Sequence, residues 1–256
     1  MTGTLTFLGT GTSQGVPLLA CQCKVCLSTD PKDKRLRSSA LIAIGNRNVC
    51  IDSGPDFRMQ MLREGIADLD AILFTHAHRD HISGLDDVRA YNYKHDRAMP
   101  IYAEAEVIHA IKSNFSYIFE SDYPGIPKLD IREITDTPFE IFGIPFQPIP
   151  VMHYQMLVFG YRMGNLAYIT DAKTVPFASK KRLEGLDILI INCLHEPPHL
   201  SHFNLEEALA FIEEIKPKRT YLTHMSHLFG KHQDILAKLP ANVFPAYDGL
   251  QINFEL

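Results

Sequence analysis

An apolar run, AILFT at residues 71–75, ends in HAHRDH at residues 76–81. The run reads as a buried strand. Side chains two apart in an extended chain point the same way, so the strand end sets His76 and His78 on one side. The turn that follows can bring Asp80 and His81 into the same pocket. Neutral imidazoles with a carboxylate suit zinc, manganese or iron better than calcium. One stretch therefore marks a strand, its end and a set of metal-ligand side chains.

Around it the chain alternates strand-like and helix-like segments. TLTFL (4–8) alternates like a strand and runs into the Gly/Ser/Thr-rich loop GTGTSQGVP. SSALIAIG (38–45) and NVCIDSG (48–54) read as two strands about an Asn/Arg turn. Later strand-like runs are PFEIFG, PFQPIPV, LVFGYRM, LAYIT, LDILIIN and RTYLT. Residues 57–65 carry Phe57, Met61 and Leu62 at helical spacing and stop at Gly65. A helix is expected within the aromatic-rich stretch 86–128, and another over 205–215, where Asn204 and Glu207 form a capping-box start. FPAYDGLQINFEL reads as a strand pair about an Asp-Gly turn. Strands with interspersed helices predict a layered α/β domain. Without a linker, repeat or low-complexity tract, one domain over 1–256 is expected.

The totals narrow the function. A chain of 256 residues can bury a substantial core. A net charge of −5 without a basic block disfavours a broad nucleic-acid or acidic-membrane surface. No apolar run approaches the ~18–20 residues of a membrane helix. The opening MTGTLTFLGTGTSQG lacks the basic and apolar regions of a signal peptide, so a cytoplasmic location is expected. Five cysteines, three of them clustered, do not form a disulfide framework pattern in a chain of this length. Cys50 and Cys193 lie in apolar runs and are expected in the core.

HAHRDH resembles the H-x-H-x-D-H signature of the metallo-β-lactamase superfamily, and the chain resembles that fold from its TLTFLGTGTSQGVP opening to its DGL ending. The resemblance implies an αββα sandwich of two mixed sheets flanked by helices. It also implies a two-metal site: His76, His78 and His153 on one ion, Asp80, His81 and His224 on the second, and Asp171 bridging. Two cations about 3.5–4 Å apart clamp an in-line displacement, and a water bridging them is hydroxide near neutral pH. Zinc or manganese is expected there. Asp52, in CIDSG, matches the family's early aspartate, a support for the metal loop.

The segment GVPLLACQCKVC resembles one subgroup, the PhnP-like cyclic phosphodiesterases. By that resemblance Cys21, Cys23, Cys26 and His227 hold a structural zinc, three thiolates and a histidine with no open position for substrate. The set would tie the N-terminal loop to the loop carrying His224. A redox role for the C-x-x-C spacing is the competing reading.

The same subgroup assigns a histidine at the position of His202 to the substrate phosphate or leaving group. His202 precedes the capped helix, whose N-terminus favours anions and disfavours imidazolium, so a hydrogen-bonding role fits better than a general acid. Asp80 and His202 are thus the residues on which catalysis is expected to rest. His195 and Arg89 are further candidates for substrate contacts; Arg89 matches phosphate geometry, and an ion pair with Asp86 or Asp87 is the alternative. The aromatic residues between 91 and 128 are core or a stacking surface. The resulting expectation is a dinuclear metal phosphodiesterase acting on a small cyclic ribose phosphate or nucleotide, without nucleic-acid or membrane partners, and with a homodimer as the default assembly. The alternatives are a transfer-RNA 3′-end nuclease (tRNase Z-like) and a non-hydrolytic cofactor-biosynthesis protein (PqqB-like).

Overall fold

The computed structural model describes residues 1–121 and 123–256. Two seven-stranded sheets face each other, and helices cover both outer faces. The first sheet is built from β1 (Thr2–Gly9), β2 (Ser39–Ile44), β3 (Arg47–Ile51), β4 (Ala71–Leu73), β5 (Met99–Ala103), β6 (Leu129–Glu133) and β14 (Gln251–Glu255), in the order β14-β1-β2-β3-β4-β5-β6. The second contains β7 (Phe139–Ile141), β8 (Ile144–His153), β9 (Met156–Met163), β10 (Leu166–Tyr168), β11 (Ile188–Asn192), β12 (Arg219–Thr223) and β13 (Val243–Pro245), in the order β13-β12-β11-β10-β9-β8-β7. In each sheet four strands pair antiparallel, and pairing is parallel from the fourth onward. This is the metallo-β-lactamase αββα sandwich.

Strand periodicity explains the layers. Inner-face residues Leu5, Phe7, Ile42, Ile51, Leu73 and Phe254 meet Phe146, Tyr161, Tyr168, Ile190 and Tyr221 of the opposite sheet in one apolar layer. Alternate residues point outward, and on parallel strands those are apolar too, because helices cover them. α1 (Phe57–Arg63) and α4 (Ala105–Asn114) pack on the first sheet through Phe57, Met61, Val107 and Ile111. α6 (Phe177–Lys181) flanks the second sheet, and α7 (Leu205–Ile215) buries Ala208, Phe211 and Ile212 against it. Between these lie α2 (Arg79–Ile82), α3 (Arg89–His95), α5 (Ser116–Glu120) and α8 (His232–Leu236). No helix among the described residues is long and apolar enough to cross a membrane.

One local expectation is corrected. The Asp-Gly stretch near the C-terminus does not close a hairpin. β13 pairs parallel with β12 in the second sheet, whereas β14 pairs antiparallel with β1 in the first. Asp248 explains the difference: its carboxylate accepts from Thr10 N (2.9 Å), Thr10 Oγ1 (2.8 Å), Leu36 N (2.8 Å) and Arg63 Nη1 (3.2 Å). The aspartate is spent on tertiary contacts, and the chain crosses from one sheet to the other there. The helix expected within 86–128 is also divided, into α3, α4 and α5. Phe115 is buried, Tyr91 donates to Ile66 O, and Tyr93, Tyr117, Phe119 and Tyr123 are exposed, so both aromatic readings are represented.

The α7 start follows its sequence signature. Asn204 Oδ1 accepts from Glu207 N (3.0 Å), and Glu207 Oε2 accepts from Asn204 N (3.1 Å). The Asn204 amide also donates to Glu196 O at 3.0 Å, tying the loop before the helix to its cap. Asn204→Ala is expected to destabilise the protein by about 1–2 kcal/mol, read as a lower urea midpoint at unchanged m-value. An unchanged midpoint would show that the cap contributes nothing.

Candidate metal centre and active site

The loops after several strands meet at one rim of the sandwich. Asp52 follows β3, Thr75 and His76 follow β4, His153 ends β8, Asp171 lies three residues beyond β10, and His224 follows β12. His78 caps α2 with extended backbone, and that single helical turn carries Asp80 and His81. Three of these residues sit in the left-handed backbone region: Asp52 (φ 62°), Asp171 (φ 58°) and His224 (φ 56°). Such conformations cost of order 1 kcal/mol or more each and persist where the surroundings over-determine them, commonly at functional sites.

Three groups of side chains have ligand atoms within 4.8 Å of one another: His76, His81 and Asp171; Asp80, His81 and His224; His153, Asp171 and His202. The groups share members, so they form one cluster. His81 Nε2 lies 3.2 Å from Asp80 Oδ2 and 3.3 Å from Asp171 Oδ2, while His224 Nε2 lies 3.1 Å from Asp171 Oδ1. The His78 ring stands 4.7 Å from His76 and 5.1 Å from His153, between centroids.

The donor set has the features of a metal site. Despite those short distances, His76 Nε2, His81 Nε2 and His224 Nε2 are buried without a hydrogen-bond partner. Buried polar atoms rarely stay unpaired. Spacings of about 3.0–3.4 Å are also those between ligands that each stand about 2.0–2.2 Å from one ion. The opposite ring nitrogens fix the tautomers. His81 Nδ1 donates to Asp52 Oδ2 (2.7 Å) and His153 Nδ1 to Ser201 O (2.8 Å). Thr75 Oγ1 donates to Asp52 Oδ2 (2.8 Å) and so accepts from His76 Nδ1 (2.9 Å). On all three rings Nδ1 is the nitrogen engaged by the protein, which leaves Nε2 turned to the cluster, as metal ligation requires. The residues fit a divalent cation.

The electrostatics agree. Burial opposes charge on His81, yet Asp171, Asp52 and Asp80 outweigh it and hold the imidazole well above the ordinary histidine range. Burial likewise opposes charge on Asp171, and His224 and His81 hold its carboxyl well below the usual range. The carboxylates thus demand positive charge at the rim. His76 is driven the other way, well below its ordinary value, by burial and by His81.

Cys21, Cys23, Cys26 and His227 also converge, although about two hundred residues separate the thiols from the ring. Their sulfurs stand 3.4, 3.5 and 3.6 Å from the single atom His227 Nδ1. A tetrahedral zinc with Zn–S about 2.3 Å and Zn–N about 2.0–2.1 Å sets sulfur and nitrogen about 3.5 Å apart, so this set fits zinc as well. The Cys26 amide and His227 bring the Cys23 thiol down to about 6, whereas burial pushes Cys26 up to about 11.

His202 lies over the cluster, its ring 4.5 Å from His153 and 4.7 Å from His224. Its Nδ1 is 3.7 Å from Asp171 Oδ1. Burial and the neighbouring His224 lower it to about 2, which makes it a neutral hydrogen-bonding group. His195 is reached through His199, at 5.8 Å and then 5.1 Å between ring centroids. The Arg89 guanidinium is held by Asp86 at 2.8 Å, the alternative the sequence left open. Thr75 and Ser201, which orient the rings, and Arg35, which carries the loop of His227, escaped the sequence reading. Thr75 stands directly before the histidine motif, whereas Arg35 sits in a charged run, DPKDKRLR, that gives no sign of burial.

A family described as a beta-lactamase superfamily domain matches residues 47–225, which span this cluster from Asp52 to His224. The chain belongs to the metallo-β-lactamase superfamily. Among solved structures it is similar to a diphosphatase from the PhnP family, with 42% identity, a TM-score of 0.93, and coverage of 99% of this chain and 98% of that one. Among curated proteins it is 39% identical over 248 residues to an octanoyltransferase of Porphyromonas gingivalis, covering 95% of this chain and 50% of that protein. A ribonuclease Z of Mycobacterium bovis is 28% identical over 181 residues, 62% of this chain and 65% of that one. The chain therefore spans half the length of the first of these curated relatives and about two thirds of the second. It is a PhnP-like member of that superfamily.

Asp52 orients the His81 ring from behind. Asp52→Ala is expected to weaken metal binding at the His–Asp cluster by about 10–100-fold, the usual effect of losing such a partner, with Asp52→Asn losing less. Competition with a chelating dye measures it, and equal affinity in all three proteins would remove Asp52 from this role.

Proposed function

We propose that the protein is a dinuclear phosphodiesterase of small substrates. His76, His78 and His153 would hold one divalent cation, Asp80, His81 and His224 the second, and Asp171 would bridge; Cys21, Cys23, Cys26 and His227 would hold a structural zinc. The observation that carries this reading is the set of buried Nε2 atoms without partners around Asp171. Bound cations at such a site polarise the phosphoryl oxygens and acidify the attacking water. Asp52, Thr75 and Ser201 keep the rings in their ligating tautomers. His202, neutral and beside His153 and His224, hydrogen-bonds a phosphoryl or leaving-group oxygen.

The 42%-identical relative supports phosphorus chemistry, and its description as a diphosphatase favours one second reading, cleavage of a phosphoanhydride. A phosphate then leaves instead of an alcohol. A structured RNA substrate is disfavoured by the net charge of −5.

Manganese- or zinc-loaded protein is expected to hydrolyse bis(p-nitrophenyl) phosphate. Asp80→Ala should abolish turnover. His202→Ala should retain its metals by elemental analysis and lose about 10²–10⁴-fold in kcat. Full activity in His202→Ala would remove that residue from the reaction, and no turnover by metal-loaded wild type would overturn the phosphodiesterase reading.

A further inference from the structure

Beside the His–Asp cluster lies an open cleft of about 520 Å³ that reaches beyond the proposed metal ligands. His78 and His153 form its inner end, and Tyr154, Gln155, Met156 and Leu200 line the rest with Ser201. Its two walls are the tip of the β8–β9 hairpin and the loop before α7, held together by the His153–Ser201 hydrogen bond.

The hairpin tip is unusual. His153 pairs with Met156, leaving Tyr154 and Gln155 as a two-residue loop. Tyr154 has φ 56°. A two-residue loop with positive φ at its first position selects glycine, because a Cβ is disfavoured there. Here a large ring occupies that position and is 55% exposed, while Leu200 across the cleft is 68% exposed. A strained backbone carrying an exposed aromatic side chain beside a catalytic cluster points to a role in binding.

The chemistry of the lining selects the occupant. Among the described residues that form the cleft there is no lysine, arginine, aspartate or glutamate, so nothing there neutralises a second anionic group. An aromatic face, two aliphatic side chains, a carboxamide and a hydroxyl instead suit a planar, neutral ring with a polar edge. We infer that Tyr154 is a specificity-determining residue that stacks on the base of a nucleotide substrate, with Leu200 against the opposite side and Gln155 at the ring edge. The inference rests on the phosphodiesterase reading and names its substrate class, a nucleoside phosphodiester.

The test compares adenosine vicinal cyclic phosphate with the methyl riboside cyclic phosphate, which presents the same ring ester without a base. Wild type should prefer the adenosine substrate in kcat/KM. Tyr154→Gly, which suits the turn and preserves the hairpin, should lower that preference roughly tenfold, the scale of one base–aromatic stack. Tyr154→Phe should keep it. Calorimetric titration of the metal-loaded protein with adenosine monophosphate and with ribose phosphate reads the same ratio without turnover. If wild type hydrolyses neither ester, the phosphodiesterase reading fails, and the titration alone then decides on the cleft. A base-to-no-base ratio that Tyr154→Gly leaves unmoved overturns the inference.

Discussion

The Asp171 carboxylate is the point on which the rim depends. One oxygen faces His224 at 3.1 Å and the other faces His81 at 3.3 Å. His81 is carried by the loops of the first sheet, and Asp171 and His224 by those of the second, so this carboxylate joins the two sheets where their strands end. A buried anion is stable only with compensating positive charge or hydrogen bonds. Thr170 Oγ1 donates to Asp171 Oδ2 at 2.6 Å, and the rest of the demand falls on the imidazoles and on the cations that this fold binds.

The second sheet's contribution is braced from the N-terminal side. Arg35 is fully buried and donates to Ser226 O (3.1 Å) and Gly230 O (2.9 Å), spanning the turn that contains His227. Asp33 accepts from His232 N at 2.6 Å, and Met225 N donates to Thr10 O at 2.9 Å. Leaving any of these buried groups unpaired costs about 1–3 kcal/mol. The Cys3His set closes the same loop from outside, so His224 and His227 stand on one short segment between two sites. A zinc held by the thiols and His227 would support the backbone that positions one member of the His–Asp cluster.

Much of this was legible in the sequence because each feature is local. HAHRDH is a contiguous run, the C-x-C-x-x-C thiols lie within six residues, and the Asn204 cap needs only three positions. Strand runs with period two or continuous apolarity gave the sheets, and the family resemblance gave their arrangement. The failures were non-local. Asp248 reads as a turn residue until Thr10, Leu36 and Arg63 are placed around it. Arg35 is one cation of a charged run until the loop at 226–230 closes over it. Tyr154 gave no signal at all, because a positive φ on tyrosine cannot be read from residue type.

The most direct test is anomalous diffraction across the zinc absorption edge from crystals grown with zinc. One zinc enclosed by Cys21, Cys23, Cys26 and His227 is expected, and two more within about 4 Å of each other beside Asp171. Crystals with zinc among the thiols and none at Asp171 would contradict it, because the unpaired imidazole nitrogens would then need another explanation.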